Sequence, residues 1–187
     1  EGTPIFVEAP IEQDFKITPE QLEAAITPKT RALILCSPSN PTGSVYSKAE
    51  LEALKNVLLK HERVIVIADE IYEHINYVDK HESIAQFASI KDRVVIINGF
   101  SKAYAMTGWR IGYTASSKEL ANAFDKMQGQ VTSGTCSITQ RAGTAAYDGG
   151  LESVLAMRTE FKKRRDLVYG LLKEIDGLKV NLPEGAF

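Results

Sequence analysis

Val64-Ile65-Val66-Ile67-Ala68-Asp69-Glu70-Ile71-Tyr72 decides the fold: an unbroken apolar run stops abruptly on two carboxylates and a phenol. A strand with one wet face alternates apolar and polar residues. One that is apolar throughout belongs between two helix layers, in a parallel sheet buried on both faces. Ala32-Leu33-Ile34-Leu35 reads the same way. Working outward, the candidate strands are 4–8, 32–36, 64–69, 94–98 and 111–115, with a short one at 178–180.

Helix starts separate these runs. Thr18-Pro19-Glu20-Gln21 offers an N-cap threonine, a proline at the first helical position and a glutamine at the third. Ser47-Lys48-Ala49-Glu50 is a capping box, after which Leu51, Leu54 and Leu58 fall on one face. Ser116 with Glu119 repeats the device. Residues 151–174 form the longest helical pattern. Its basic cluster, Lys162 to Arg165, is balanced by Glu152, Glu160 and Asp166, so it reads as a solvated face. Strands alternating with helices predict an α/β fold, a mostly parallel sheet sandwiched by helices.

Composition narrows the partners. A net charge of −2 gives no basis for nucleic acid or an anionic membrane as partner. No apolar run approaches the length of a membrane span. Cys36 and Cys136 form neither a CxxC pair nor a zinc spacing, so reduced, buried, inert thiols in a cytoplasmic protein are expected. The chain opens on Glu1-Gly2-Thr3-Pro4 and stops on Glu184-Gly185-Ala186-Phe187; neither reads as a natural terminus, and a piece of a longer protein is expected.

In open α/β sheets, ligands bind outside the carboxyl ends of the strands. Strand 32–36 is followed by Ser37-Pro38-Ser39-Asn40-Pro41-Thr42-Gly43, and 64–69 runs into Asp69-Glu70-Ile71-Tyr72. Strand 94–98 is followed by Gly99-Phe100-Ser101-Lys102, and Arg110 precedes the next strand. There is no GxxxxGK[ST] and no GxGxxG after a strand, so a common nucleotide site is not indicated. His61, His74 and His81 lack metal-site company in sequence, and neither His74 nor Glu70 reads as catalytic. The inventory does suit pyridoxal 5′-phosphate (PLP). That cofactor needs an amine for its aldehyde, an anion for its pyridine nitrogen, donors for its 3′-oxygen and a cradle for its phosphate. Lys102, Asp69, Asn40 with Tyr72, and Arg110 can fill those roles in that order.

At these residues the sequence resembles the class I and II aminotransferases of the aspartate aminotransferase fold. The run Gly99-Phe100-Ser101-Lys102-Ala103-Tyr104-Ala105-Met106-Thr107-Gly108-Trp109-Arg110-Ile111-Gly112 resembles their lysine-attachment signature throughout. Asn40-Pro41-Thr42-Gly43 and Asp69-Glu70-Ile71-Tyr72 resemble the two preceding landmarks, in order and spacing. The resemblance spans the whole chain and about half of a typical member. It implies part of a PLP-binding large domain over 1–175 and the start of a C-terminal small domain over 176–187. It implies Lys102 as the Schiff-base lysine and proton shuttle, and Asp69 on the pyridine nitrogen. Tyr72 and Asn40 would serve the 3′-oxygen, and Arg110 the phosphate, with Ser101 as helper. Gly99 stands where many members carry a serine, which removes one hydroxyl from the phosphate cradle. Tyr104 and Trp109 are read as packing.

The resemblance further implies a homodimer, with Thr132-Ser133-Gly134-Thr135 approaching the partner subunit's site. It implies transfer of an amino group from an amino acid, aspartate first, to a 2-oxo acid, 2-oxoglutarate first. Two alternatives stand beside it: a PLP-dependent carbon–sulfur β-lyase, which would keep the same residues, and a non-catalytic aminotransferase-like sensor domain fused to a DNA-binding region. The family's substrate-carboxylate arginine and ring-stacking aromatic lie outside this stretch of sequence.

Overall fold

The structure is a computed structural model, and it describes residues 2–187. Four strands form one sheet in the order β1-β2-β3-β4: Ala32–Cys36, Ile65–Asp69, Val94–Gly99 and Gly112–Ala115. β1, β2 and β3 are parallel, and β4 runs antiparallel to β3. Five α-helices accompany them: α1 Pro19–Ala25, α2 Lys48–Leu58, α3 Lys118–Val131, α4 Ser137–Asp148 and α5 Glu152–Lys173. The mostly parallel α/β architecture read from the sequence is the one found.

The first two helices start where their caps dictate. Thr18 accepts from the Gln21 amide at 3.2 Å, and the Gln21 side chain accepts from the Thr18 amide at 2.8 Å. Ser47 and Glu50 make the same reciprocal pair at 3.3 and 2.7 Å. Each satisfies amides that the first helical turn leaves without partners. Ser116 and Glu119 do not repeat the device. The helix begins one residue later, with Ser117 at the N-cap and no side-chain cap bond. Glu119 therefore sits at the second helical position, out of register for the box.

One face of the sheet carries the main core. Leu35, Val66, Ala68 and Val94 pack with Leu51, Leu54 and Leu58 of α2, along with Leu22 and Ile84. Leu54 and Leu58 are at most 1% exposed. Burying a leucine completely contributes about 1.5–3 kcal/mol, so α2 is the principal fastener of the sheet. Its carboxyl end is held by Arg93, which donates to the Leu58, His61 and Val64 carbonyls.

The other face is unevenly covered. Ile34 is 73% exposed and Ile97 38%, so the two-sided burial expected from the apolar runs is complete on the α2 side only. Near the carboxyl ends of the strands cover does exist. Gly143 of α4 lies against Phe100, where a Cβ would stand 3.3 Å from the ring. Met157 and Phe161 of α5 pack on Tyr72 and Ile75.

Two expected strands are absent. Residues 4–8 have no regular structure, and Ile5 and Phe6 stand 74% and 87% exposed. An apolar run becomes a strand only where a neighbour offers a ladder, and none meets it among the described residues. Residues 178–180 are likewise irregular. The chain pairs slightly later, through one antiparallel bridge between Asn76 and Gly185.

Candidate active site

The carboxyl ends of β1, β2 and β3 lie side by side, because Cys36 pairs with Asp69 and Asp69 with Ile97. Three polar segments are thereby delivered to one edge. Asn40, in the turn after β1, donates from Nδ2 to the Tyr72 hydroxyl at 2.9 Å. Tyr72 is buried, in the turn after β2. Lys102, in the turn after β3, holds its ammonium 5.5 Å from the Tyr72 ring centroid.

Asp69 ends β2. Its Oδ1 accepts from the Ile71 amide at 3.2 Å, which starts the turn that presents Tyr72. Its charge is felt next door: burial and then the Asp69 carboxylate push the Cys36 thiol up. Ser101 and Arg110 are joined through one residue. Thr107 donates its hydroxyl to the Ser101 carbonyl at 3.1 Å, and the Arg110 guanidinium donates to the Thr107 carbonyl at 3.0 Å. Arg110 is exposed and has φ 54°, a left-handed conformation uncommon for a side-chain-bearing residue and frequent at functional turns. Tyr72 thus links the other two, bonded to Asn40 through its hydroxyl and facing the Lys102 ammonium with its ring. Asp69 adjoins them along the backbone, and Ser101 with Arg110 form the far side of the Lys102 loop.

Several participants escaped the sequence reading. Phe187 places its ring 5.1 Å from the Lys102 ammonium, edge-on to Tyr72 at 5.3 Å and stacked on Phe161 at 5.6 Å. Ring faces attract an ammonium electrostatically, so two aromatics flank Lys102. Residues 181–186 bring Phe187 there. The Gly43 carbonyl accepts from the Glu184 and Gly185 amides at 2.8 and 3.0 Å, and Ile75 accepts from Ala186 at 2.8 Å. Asn181 donates to the Thr42 carbonyl at 3.2 Å and Arg165 to that of Pro183 at 2.9 Å. Nothing local in the sequence signals contacts of that span. Thr107 lay inside the quoted signature, and that position was the one available cue to it.

Other expectations need correcting. Tyr104 packs with Phe100 and Tyr147, but Trp109 is 47% exposed and packs little. Cys136 is exposed rather than buried, and amide donors from Thr139 and Ile138 lower its thiol. His81 does have carboxylate company: ligand atoms of Glu70, Glu73 and His81 lie within 4.8 Å of one another.

The donor set fits PLP. An amine, a carboxylate and an amide–phenol pair converge on one edge. The guanidinium beyond them is exposed and bonded, among the described residues, to one backbone carbonyl. No helix is long and apolar enough to cross a membrane among these residues.

Residues 1–187 match the family model described as aminotransferase class I and II. The chain is 47% identical over 192 residues to the bifunctional aspartate aminotransferase and glutamate/aspartate-prephenate aminotransferase of Petunia hybrida, covering 100% of this chain and 40% of that protein. It is 47% identical over 188 residues to the aspartate aminotransferase of Geobacillus stearothermophilus, covering 100% of this chain and 48% of that one. The crystal structure of the aspartate aminotransferase from Rhizobium meliloti superposes with a TM-score of 0.96 at 45% identity, over 100% of this chain and 47% of that one. The chain therefore spans about half the length of the relatives it matches. The lysine loop and the family match over all of residues 1–187 lead to one conclusion: this chain belongs to the class I and II aminotransferases.

Proposed function

We propose that the protein carrying this chain is a PLP-dependent aminotransferase, moving an amino group from an amino acid to a 2-oxo acid. Aspartate and 2-oxoglutarate are the first pair to try, since the similar proteins named above are aspartate aminotransferases. The observation that carries the reading is the convergence of Asn40, Tyr72 and Lys102 beside Asp69. A homodimer and a cytoplasmic location go with the reading, as does a second domain beginning within 176–187.

When bound, PLP supplies an aldehyde that takes up the amino group and a ring that accepts the electrons released at the substrate Cα. Lys102 would be the amine that holds the aldehyde and the base for the Cα proton. Asp69 would keep the ring nitrogen protonated by its negative charge. Asn40 and Tyr72 would donate to the 3′-oxygen. Arg110 would offer its guanidinium, whose planar fork suits bidentate contact, to the phosphate, with Ser101 as helper.

The test is product analysis on the complete gene product with PLP, aspartate and 2-oxoglutarate. The account expects oxaloacetate and glutamate in equal amounts. Pyruvate, ammonia and a thiol from a sulfur amino acid, with no transamination, would move the β-lyase ahead. Binding of PLP with neither reaction would favour the sensor domain.

A further inference from the structure

We propose that Glu70, gripped by His81 and Ser83, is a positioning residue that fixes the turn on which Asp69 and Tyr72 stand. The inference rests on the cofactor reading above. Glu70 is 5% exposed, and a buried carboxylate is costly unless hydrogen-bonded. Both oxygens are engaged: Oε2 by His81 Nε2 at 3.0 Å and Oε1 by the Ser83 hydroxyl at 2.6 Å. Its backbone is held too. The Glu70 amide donates to the Ile97 carbonyl at 2.9 Å, and its carbonyl accepts from Glu73 at 2.9 Å. One residue thus ties together β3, the segment around 81–83 and the turn from 70 to 73.

Successive side chains leave an extended strand end on opposite sides. Glu70 therefore buttresses the turn from behind and leaves the Asp69 side free. Glu73, on the same turn, holds its Oε1 3.1 Å from His74 Nε2. Asn98 accepts from the Gly99 amide at 2.7 Å, at the root of the Lys102 loop. The tie from the Tyr72 turn to that strand end is the Glu70 amide on the Ile97 carbonyl. His81 Nδ1 is buried with no partner, which suits the Nε2–H tautomer and makes the ring a single fixed donor. Glu70, Glu73 and His81 are also ligand types that a cation takes. Protein donors already occupy both Glu70 oxygens, however, so the burial is accounted for without an ion.

The experiment uses the complete gene product and reads PLP affinity, the pH midpoint of the bound cofactor's visible band, and thermal midpoint. His81→Leu removes the donor, and His81→Gln keeps an N–H to offer Glu70. Leaving a buried acceptor unmet is expected to raise the PLP dissociation constant about tenfold in His81→Leu, with His81→Gln within about threefold of wild type. The band's midpoint is expected to move in the first and stay in the second. Ser83→Ala, which changes volume little, is expected to weaken PLP about threefold and serves where His81→Leu does not fold. Wild-type affinity and an unmoved band in His81→Leu or Ser83→Ala would overturn the inference. So would equal losses in His81→Leu and His81→Gln that only follow thermal midpoint. Absence of borohydride label at Lys102 in the wild type overturns the cofactor reading itself; label there with unmoved variants overturns this inference alone.

Discussion

The Tyr72 hydroxyl accepts a hydrogen bond from Asn40 Nδ2 at 2.9 Å, joining two residues 32 apart in sequence across neighbouring parallel strands. Accepting from Asn40 leaves the phenol O–H free to donate outward. The pair is held in place before any ligand arrives, because Tyr72 is buried and the Asn40 turn is laced to residues 181–185. Groups ordered in advance cost less to immobilise on binding.

That pairing predicts coupled losses. Asn40→Ala and Tyr72→Phe should each weaken PLP binding by about 1 kcal/mol, with the double mutant losing clearly less than the sum. Fluorescence titration of the four proteins measures this. Strict additivity would show that the two act independently.

Gly43 should resist substitution. Its φ is +73°, and a Cβ there would stand 2.8 Å from the Pro183 Cα. Gly43→Ala should cost about 1–3 kcal/mol for the left-handed backbone alone, and more once Pro183 is pushed aside. Urea unfolding reads the loss; a loss confined to the backbone cost would mean the 181–187 segment does not lie against this turn, and an unchanged midpoint would contradict the left-handed conformation itself.

Acid should selectively erase the contribution of Glu73. Its hydrogen bond from His74 holds the carboxyl below the ordinary value of 4.5, despite burial. The folded state therefore binds that proton less readily than the unfolded chain, and the stabilisation is present above the unfolded value. It is lost as pH falls through the lower folded value. Glu73→Gln should be destabilised by about 1 kcal/mol at neutral pH, with the gap to wild type closing below 4.5. Urea titrations at stepped pH give the comparison, and a gap that widens in acid would reverse the sign.

What was legible in the sequence was local. The capping residues Thr18, Gln21, Ser47 and Glu50 act within a few residues, and they are found bonded as read. The polar residues after β1, β2 and β3 were legible because a parallel sheet puts all its carboxyl ends on one edge. What was not legible depends on tertiary partners. Residues 4–8 carry strand chemistry but meet no ladder. Phe187 reaches Lys102 only because residues 181–186 are laced to Gly43 and Ile75. Glu70 read as a bystander in sequence, since its importance lies in burial and in His81 and Ser83, eleven and thirteen residues on.

The central claim is that Lys102 holds PLP. The most direct measurement is borohydride reduction of the complete gene product with added PLP, followed by peptide mapping, with Lys102→Ala alongside. The account predicts one pyridoxyl group on Lys102, and neither that label nor transaminase activity in the variant. Label on another lysine, or near-normal turnover in Lys102→Ala, would contradict it.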